Sequence, residues 1–405
     1  MLELPSPVLR LPHPSATFAP THAPPLVERP PRPACEVCVI VPARNEAATI
    51  GATLASLAAQ VDLLGRPLAR EAYEVIVLAN NCSDGTAAVA RRIAARHPDL
   101  ALHVVEIALP HEHSNVGHVR GLLLDEAYRR LMMLGRDLGV MASTDGDTRV
   151  APDWIARTRA ELACGVGAVG GRIAIEPVER AAMPPAMRAY HLRDTAFRLL
   201  ASELESYLDP DTTDPWPRHA QHFCGSLAIA PWAYRRVGGL PVVAALEDMA
   251  LYRELVRADV PVRHSPRVKV WTSARQRGRA ELGLSSQLGE WGTMARDGLP
   301  QIVETADAVA SRAVTRGRLR ALWRRAPRVL TPDAVVNSSV RRLAGAGAVP
   351  APWLAAQIAR PEPFGLVFEQ IEEAGRWPWR GAVGDVRATI EDLRTLLVPL
   401  RRDAR

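Results

Sequence analysis

Lysine is almost missing from this chain: Lys269 is the single lysine among 50 basic residues in 405. Arginine therefore carries nearly all the positive charge, and its planar fork suits phosphate and carboxylate partners. The net charge of +6 favours an anionic ligand or surface, although a compositional bias of the genome would give the same excess. Aromatic residues are only 5%, and no basic stretch interleaves with them at a stacking spacing, which argues against a nucleic-acid binder. No apolar run approaches the ~18 residues a membrane span needs, and the N-terminus lacks the basic-then-apolar pattern of a secretory leader. A cytoplasmic protein is expected, with contact at the inner face of a membrane left open. The cysteines are five, an odd and scattered set that suits a reducing compartment. Cys35 and Cys38 have CxxC spacing, but no second pair completes a zinc site, and the surrounding Val37, Val39, Ile40 and Val41 read as a buried strand start.

What is present is enough apolar material for a large core: 48% hydrophobic residues in a chain longer than one typical domain. Residues 1–34 are rich in proline and read as an extended leader. From Cys35, short apolar runs alternate with helical stretches. The runs are VCVIVPA, YEVIVLA, LHVVEIAL and the one ending in TDGDT; the helices are expected over 47–60, 86–97 and 119–134. A further helix (153–164), the run GAVGGRIAI, an irregular Pro- and Asp-rich section (209–218), a helix near Leu246 and the run VPVRHSPRVKVWTSA follow. This alternation predicts an α/β fold with a mainly parallel sheet covered by helices on both faces. Residues 35–299 are expected to form that domain and 300–405 a helical C-terminal extension. In the last helix Ile390, Leu393, Leu397 and Leu400 share one face, suited to docking on the core, on a partner subunit in a homo-oligomer, or on a membrane surface.

The string GVGAVG (165–170) fits GxGxxG, yet it follows a helix and leads into a strand, the reverse of the dinucleotide fingerprint. Small residues at a tight helix-to-strand packing explain it. Of more interest are the strand ends. The first run ends in VPARNEAATIG, where Pro42 is expected to stop the strand, Asn45 to cap the helix and Glu46 to lie in its first turn. The second ends in LANNCSDGT, with Asn80, Asn81 and Asp84 around a turn; SNVGHVRG precedes the third helix. Ligands of open parallel sheets bind beyond the carboxyl ends of the strands, so these loops should converge on one crevice, with TDGDT as the fourth. In an extended stretch Asp145 and Asp147 point to the same side, where they could hold a turn, or address one ion, or an ion and a ribose. Hard oxygen ligands favour Mg2+ or Mn2+, and Gly146 lets the backbone come close.

With these loops in place, the sequence resembles the family 2 glycosyltransferases on the GT-A fold. CVIVPARNEAATIGATLASL is similar to the opening strand and helix, VIVLANNCSDGTAAVA to the second, NVGHVRG to the NxGKxxA loop and TDGDT to the metal-binding DxD. HFCGSLAIAPWAYRRVGGLP followed by LEDMALYRELVRADVPV resembles the acceptor-side motifs. The likeness runs from about 36 to 280.

The resemblance implies a metal-dependent transfer of a sugar from a nucleotide-diphosphate donor to an acceptor hydroxyl, with inversion and with Mn2+ or Mg2+ as cofactor. It implies that Pro42, Arg44, Glu46 and Asn80 line the base and ribose, with Asp84 from the second motif beside them. It places Asp145 at the ribose and donor sugar, and Asp147 at the metal with Asp145. Asp248, with Glu247 beside it, is implied as the base that deprotonates the acceptor; a pair of acids at a helix start is the plainer reading of the same residues. His118 replaces the customary lysine of the NxGK loop. His264 on a late strand is the candidate third metal ligand, or else a core histidine. Arg275, Arg277 and Arg279 stand where relatives hold diphosphate or an anionic acceptor, and ordinary surface arginines read the same way. Ala79 or Asn80 stands where an Asp is common, which removes the expectation of uracil contact.

Other readings are a retaining GT-A transferase acting on a phosphorylated small acid, a nucleotidyltransferase, and a non-catalytic or Arg-rich binding protein. The nucleotidyltransferase usually opens with a Gly-rich phosphate loop, which PARNEAATIG does not supply.

Overall fold

A computed structural model of the chain describes residues 24–276, 278, 283–326 and 336–403. Strands β1 (Val37–Ala43) and β2 (Tyr73–Asn80) are buried along their whole length, as interior strands of a parallel sheet must be. They are followed by helices α1 (Ile50–Ala58) and α2 (Thr86–Arg96). Strand β3 (Ala101–Ile107) leads through the one-turn helix His111–His113 to α3 (Val116–Met133). The Asn115 side chain caps α3 by accepting the His118 N–H at 2.8 Å. Next come β4 (Val140–Thr144), the short β5 (Arg149–Val150), α4 (Trp154–Leu162), β6 (Ala168–Ile175), α5 (Pro177–Ala182) and α6 (Pro185–Leu208). Then follow β7 (Ser226–Ile229), α7 (Pro231–Arg236), α8 (Glu247–Arg257), β8 (Val262–Thr272) and α9 (Leu284–Asp297).

The sheet runs β3-β2-β1-β4-β7-β6-β8-β5. Its first four strands are parallel, as are β6 and β8, while β7 is antiparallel to both neighbours and β5 to β8. The mainly parallel expectation holds, with β7 as the addition that alternation alone does not reveal. The two faces follow from the pleat. Cys38, Ile40, Ile76 and Leu78 point to one side and pack with Val119, Leu123, Tyr234, Leu251 and Leu255 from α3, α7 and α8. Val37, Val39, Val41, Val75 and Val77 point to the other and meet Ile50, Leu54, Leu57, Ala90 and Trp154 from α1, α2 and α4.

Several local expectations are corrected. Pro42 does not stop β1: the strand runs one residue further beside β2, and pairing with β4 ends at Ile40, so the missing N–H leaves no gap in that ladder. Asn45 does not cap α1; it takes a left-handed conformation (φ 55°) and its side-chain oxygen accepts the Ser83 N–H at 2.8 Å, tying the first loop to the second. Helix α6, 24 residues long, was not expected, because its buried positions mix Met187, Tyr190 and Leu204 with Ser202 and Glu203 and show no clean apolar stripe. The leader is not wholly detached either: Val27 is buried against the sheet core, and Arg130 donates to the Arg29 carbonyl at 2.8 Å. GVGAVG runs from the turn after α4 into β6, and a side chain on Gly167 would collide with Val260 and Trp232.

Beyond the sheet, β9 (Ile302–Glu304), α10 (Ala306–Arg325), α11 (Ser338–Ala346), α12 (Ala351–Ile358), α13 (Phe364–Ala374), β10 (Val383–Asp385) and α14 (Val386–Asp403) follow. Leu319, Val340, Leu343, Leu354, Phe364, Val367, Ile371 and Trp377 build a separate core here. The apolar face of α14 is spent within the chain: Leu393 and Leu397 pack with Leu204 of α6, and Arg401 forks onto Glu203 at 2.7 Å through each of two nitrogens. Among the described residues no helix is long and apolar enough to cross a membrane.

Candidate active site

The carboxyl ends of β1, β2 and β4 and the start of α3 come together at one edge of the sheet. At one end of this cleft Arg44 and Asn80 both donate to the Ser114 carbonyl, at 3.1 and 3.3 Å, so the first two loops are fastened to the residue before the α3 cap. Asp84 accepts the Ala47 N–H at 3.1 Å and the Thr86 N–H at 3.0 Å, and so braces the loop junction. The His118 ring stacks on His113 with centroids 4.7 Å apart. Burial and the His113 charge hold its pKa below the ordinary imidazole value, which makes it a neutral hydrogen-bonding group rather than a cation at neutral pH.

In the centre, the TDGDT turn is pressed against β1. A side chain on Gly146 would stand 3.2 Å from Glu46 Cγ and 3.4 Å from the Pro42 carbonyl, and Thr53 of α1 donates to the Gly146 carbonyl at 3.0 Å. This close approach is what glycine permits. Pro42 thus forms the wall behind the turn. Asp147 Oδ2 accepts from the Ser273 hydroxyl at 2.8 Å and lies 3.2 Å from Arg275 Nη2. Arg275 Nη1 reaches both oxygens of Glu46, at 2.8 and 3.0 Å. Asp145 lies beside them, its Oδ1 2.7 Å from Arg120 Nη2. Its other oxygen lies over Gly225, where a Cβ would stand 2.9 Å from it.

On the far side, α8 begins with Glu247 and Asp248. Arg120 Nη1 pairs with Glu247, so one guanidinium joins β4 to α8. Asp248 accepts from the Met249 N–H at 2.8 Å and the Cys224 N–H at 3.4 Å. Burial, then the charge of Glu247, push the Asp248 carboxyl above the ordinary range, with Arg120 opposing. Asp145 is likewise pushed up by its surroundings and by Asp147, Asp248 and Glu247, against Arg120. A carboxyl raised in this way takes up a proton more readily than a free one.

The structure therefore brings Glu46, Asp145, Asp147, Arg275, Glu247 and Asp248 into one network. It does not bring His264 there. That histidine donates its backbone N–H and directs Nδ1 to Asp214, each at 2.8 Å, and its ring packs among His219, His222 and Tyr252. Among the described residues no three His, Cys, Asp or Glu side chains form a metal-holding group. Arg277 and Arg279 lie outside the described residues. Sequence reading missed Arg120, although it stands in NVGHVRG one turn after Gly117; its only signal was a basic residue just past the first turn of a capped helix. Ser273 gave none.

Residues 38–229 match the family described as Glycosyl transferase family 2. That segment, a little under half of the chain, is similar to this family. A transferase activity goes with that match, and the matched segment holds the β1, β2, α3 and β4 loops together with Gly225. The search of curated proteins gives no match. Among solved structures the chain is similar to Mannosyltransferase PcManGT from Pyrobaculum calidifontis in complex with GDP-Man and Mn2+: 21% identity over 95% of this chain and 90% of that chain, TM-score 0.43. It is similar to S. aureus TarS 1-349 in complex with UDP-GlcNAc, with 15% identity over 84% and 91% of the two chains and a TM-score of 0.40. It is also similar to glucosyl-3-phosphoglycerate synthase from Mycobacterium tuberculosis, crystallised with Mn2+, UDP-glucose and phosphoglyceric acid, with 20% identity over 66% and 81% and a TM-score of 0.37.

Proposed function

We propose that the protein moves a sugar from a nucleotide-diphosphate donor to an acceptor hydroxyl in a metal-dependent reaction that inverts the anomeric centre. The observation that carries this reading is the pairing, through one cleft, of the strand-end aspartates Asp145 and Asp147 with the acid pair Glu247–Asp248. Arg44, Asn80 and the capped start of α3 would receive the base and ribose, and the α3 N-terminus favours an anion. Asp147 with Asp145 would hold a divalent cation, Mg2+ or Mn2+, whose chemistry is to offset the charge of the departing diphosphate. The donor set fits such an ion: two hard carboxylates suffice when phosphate oxygens and water complete the shell, and Gly225 leaves room beside Asp145.

Asp248 would take the proton of the acceptor hydroxyl as its oxygen forms the new bond to the anomeric carbon. The bond to the nucleoside diphosphate breaks on the opposite face, which inverts the configuration. Arg275, beside Asp147, would receive the diphosphate charge.

The test is release of nucleoside diphosphate from a panel of nucleotide sugars, with and without Mn2+. Metal-dependent release by the wild type, lost in Asp147→Ala, supports the reading; release that ignores the metal or this substitution contradicts it.

A further inference from the structure

Arg120 is a buried charge in the cleft that the proposed chemistry does not use. Its residue is 4% exposed, its Nε has no hydrogen-bond partner, and its hold passes through the two terminal nitrogens. One meets Asp145 Oδ1 at 2.7 Å and the other meets Glu247. The two carboxylates belong to opposite sides of the cleft, at the end of β4 and the first position of α8. We propose that Arg120 is a positioning residue that couples the donor aspartate Asp145 to the acceptor-side base Asp248, acting through Glu247; this rests on the functional reading above.

The backbone around Glu247 shows why such a hold is needed. Leu246 precedes it in a left-handed conformation (φ 58°), which a branched residue adopts only when its surroundings impose it. The start of α8 is seated against α3, where a Cβ on Gly117 would lie 3.4 Å from Glu247 Cβ. Arg120 stands one turn further along α3, on the same face, and clamps the carboxylate that this approach delivers. Asp248 is the next residue, and its own bonds are to the backbone N–H groups of Met249 and Cys224. Its direction is therefore set by how the first turn of α8 is held, and Arg120 is the side chain that holds it. The fork works as a unit, because removing either partner leaves a buried charge uncompensated. Lysine keeps the charge but cannot bridge the two carboxylates.

The experiment uses the full chain as wild type, Arg120→Met, Arg120→Lys and Glu247→Gln, each checked for folding by circular dichroism. Binding of a nucleoside diphosphate with Mn2+ is measured by calorimetry, and kcat and KM for Mn2+-dependent hydrolysis of a nucleotide sugar are measured beside it. Misplacing a reacting group costs about 100-fold in rate. Arg120→Met is expected to lose about that much in kcat, with Kd and KM changed by no more than about threefold. Arg120→Lys should resemble it, and Glu247→Gln should give the same split by removing the clamp from the other side. The double variant Arg120→Met/Glu247→Gln should be no slower than the slower single one, since both break one connection. The inference is overturned if folded Arg120→Met keeps its kcat, or if Kd rises in step with the loss of kcat; where Arg120→Met does not fold, an unimpaired Glu247→Gln overturns it. Wild-type protein that neither binds nor hydrolyses any donor removes the functional reading itself.

Discussion

Arg275 Nη1 lies 2.8 Å from Glu46 Oε1, although 229 positions separate the two in the chain. Its other terminal nitrogen is 3.2 Å from Asp147, so the segment after β8 is latched across the ends of β1 and β4. A hydrogen bond to a charged group is worth about 1.5–3 kcal/mol. Arg275→Ala is therefore expected to weaken binding of a nucleoside diphosphate by about 10- to 100-fold. Calorimetric titration checks this, and unchanged affinity would remove Arg275 from the diphosphate site.

Asp248→Asn keeps the shape of the α8 start and one of the two backbone contacts to Met249 and Cys224, but cannot accept a proton. Loss of a general base costs about 100- to 10,000-fold in rate. The variant should lose turnover on that scale while its nucleotide affinity stays near wild type. A variant as fast as the wild type would move the base elsewhere in the cleft.

Away from the cleft, Arg130 is fully buried and forks onto Glu74 at 2.7 and 2.6 Å. Burial alone would raise the Glu74 carboxyl, but the bonds from Arg130 and His103 hold it down at about 2. A depressed carboxylate contributes stability that is complete above its ordinary value of 4.5 and is lost as pH falls toward 2. His219 and His222 are pushed down to about 3, by burial and then by His264, so they stay neutral in the folded chain while an unfolded imidazole takes up a proton below 6.5. Both effects have the same sign. Thermal stability should decline as pH falls below 6.5 and fall further below 4.5. Glu74→Gln should cost about 3–5 kcal/mol at neutral pH, because it leaves Arg130 buried without its partner. Chemical denaturation at a series of pH values checks both; a flat profile would contradict the buried ion pair.

The C-terminal helices are seated on the sheet domain through Asp259, which accepts the N–H groups of Phe364 and Gly365 at 2.6 and 2.8 Å. A side chain on Gly365 would run into the Val256 carbonyl at the end of α8, whereas one on Gly345 of α11 meets nothing within 4 Å. Gly365→Ala should lower the melting temperature. Gly345→Ala should instead raise stability by about 0.5–1 kcal/mol, through the lost freedom of the unfolded chain. Equal effects of the two substitutions would contradict this docking.

The first half of the fold was legible because VCVIVPA is apolar throughout and YEVIVLA is apolar apart from Glu74, a pattern that suits a doubly covered strand, and because each ends beside a polar helix start. The same strand ends located Glu46, Asp145 and Asp147. Strand β7 was legible as an apolar run but not in direction, since SLAI reads alike either way. At His264 the sequence shows a donor atom and not the partner it meets, here Asp214. Arg120 was hidden for the opposite reason: in a chain with so many arginines, nothing local marks the one that two distant carboxylates will share.

The central claim is that Asp147 and its neighbours form a metal-dependent nucleotide-sugar site. Calorimetric titration of a nucleoside diphosphate into wild type and Asp147→Ala, each with and without Mn2+, tests it most directly. The account predicts binding by the wild type that Mn2+ strengthens by at least about tenfold, and an Asp147→Ala protein in which the metal makes no difference. Equal strengthening by Mn2+ in both proteins, or no binding by the wild type, would contradict it.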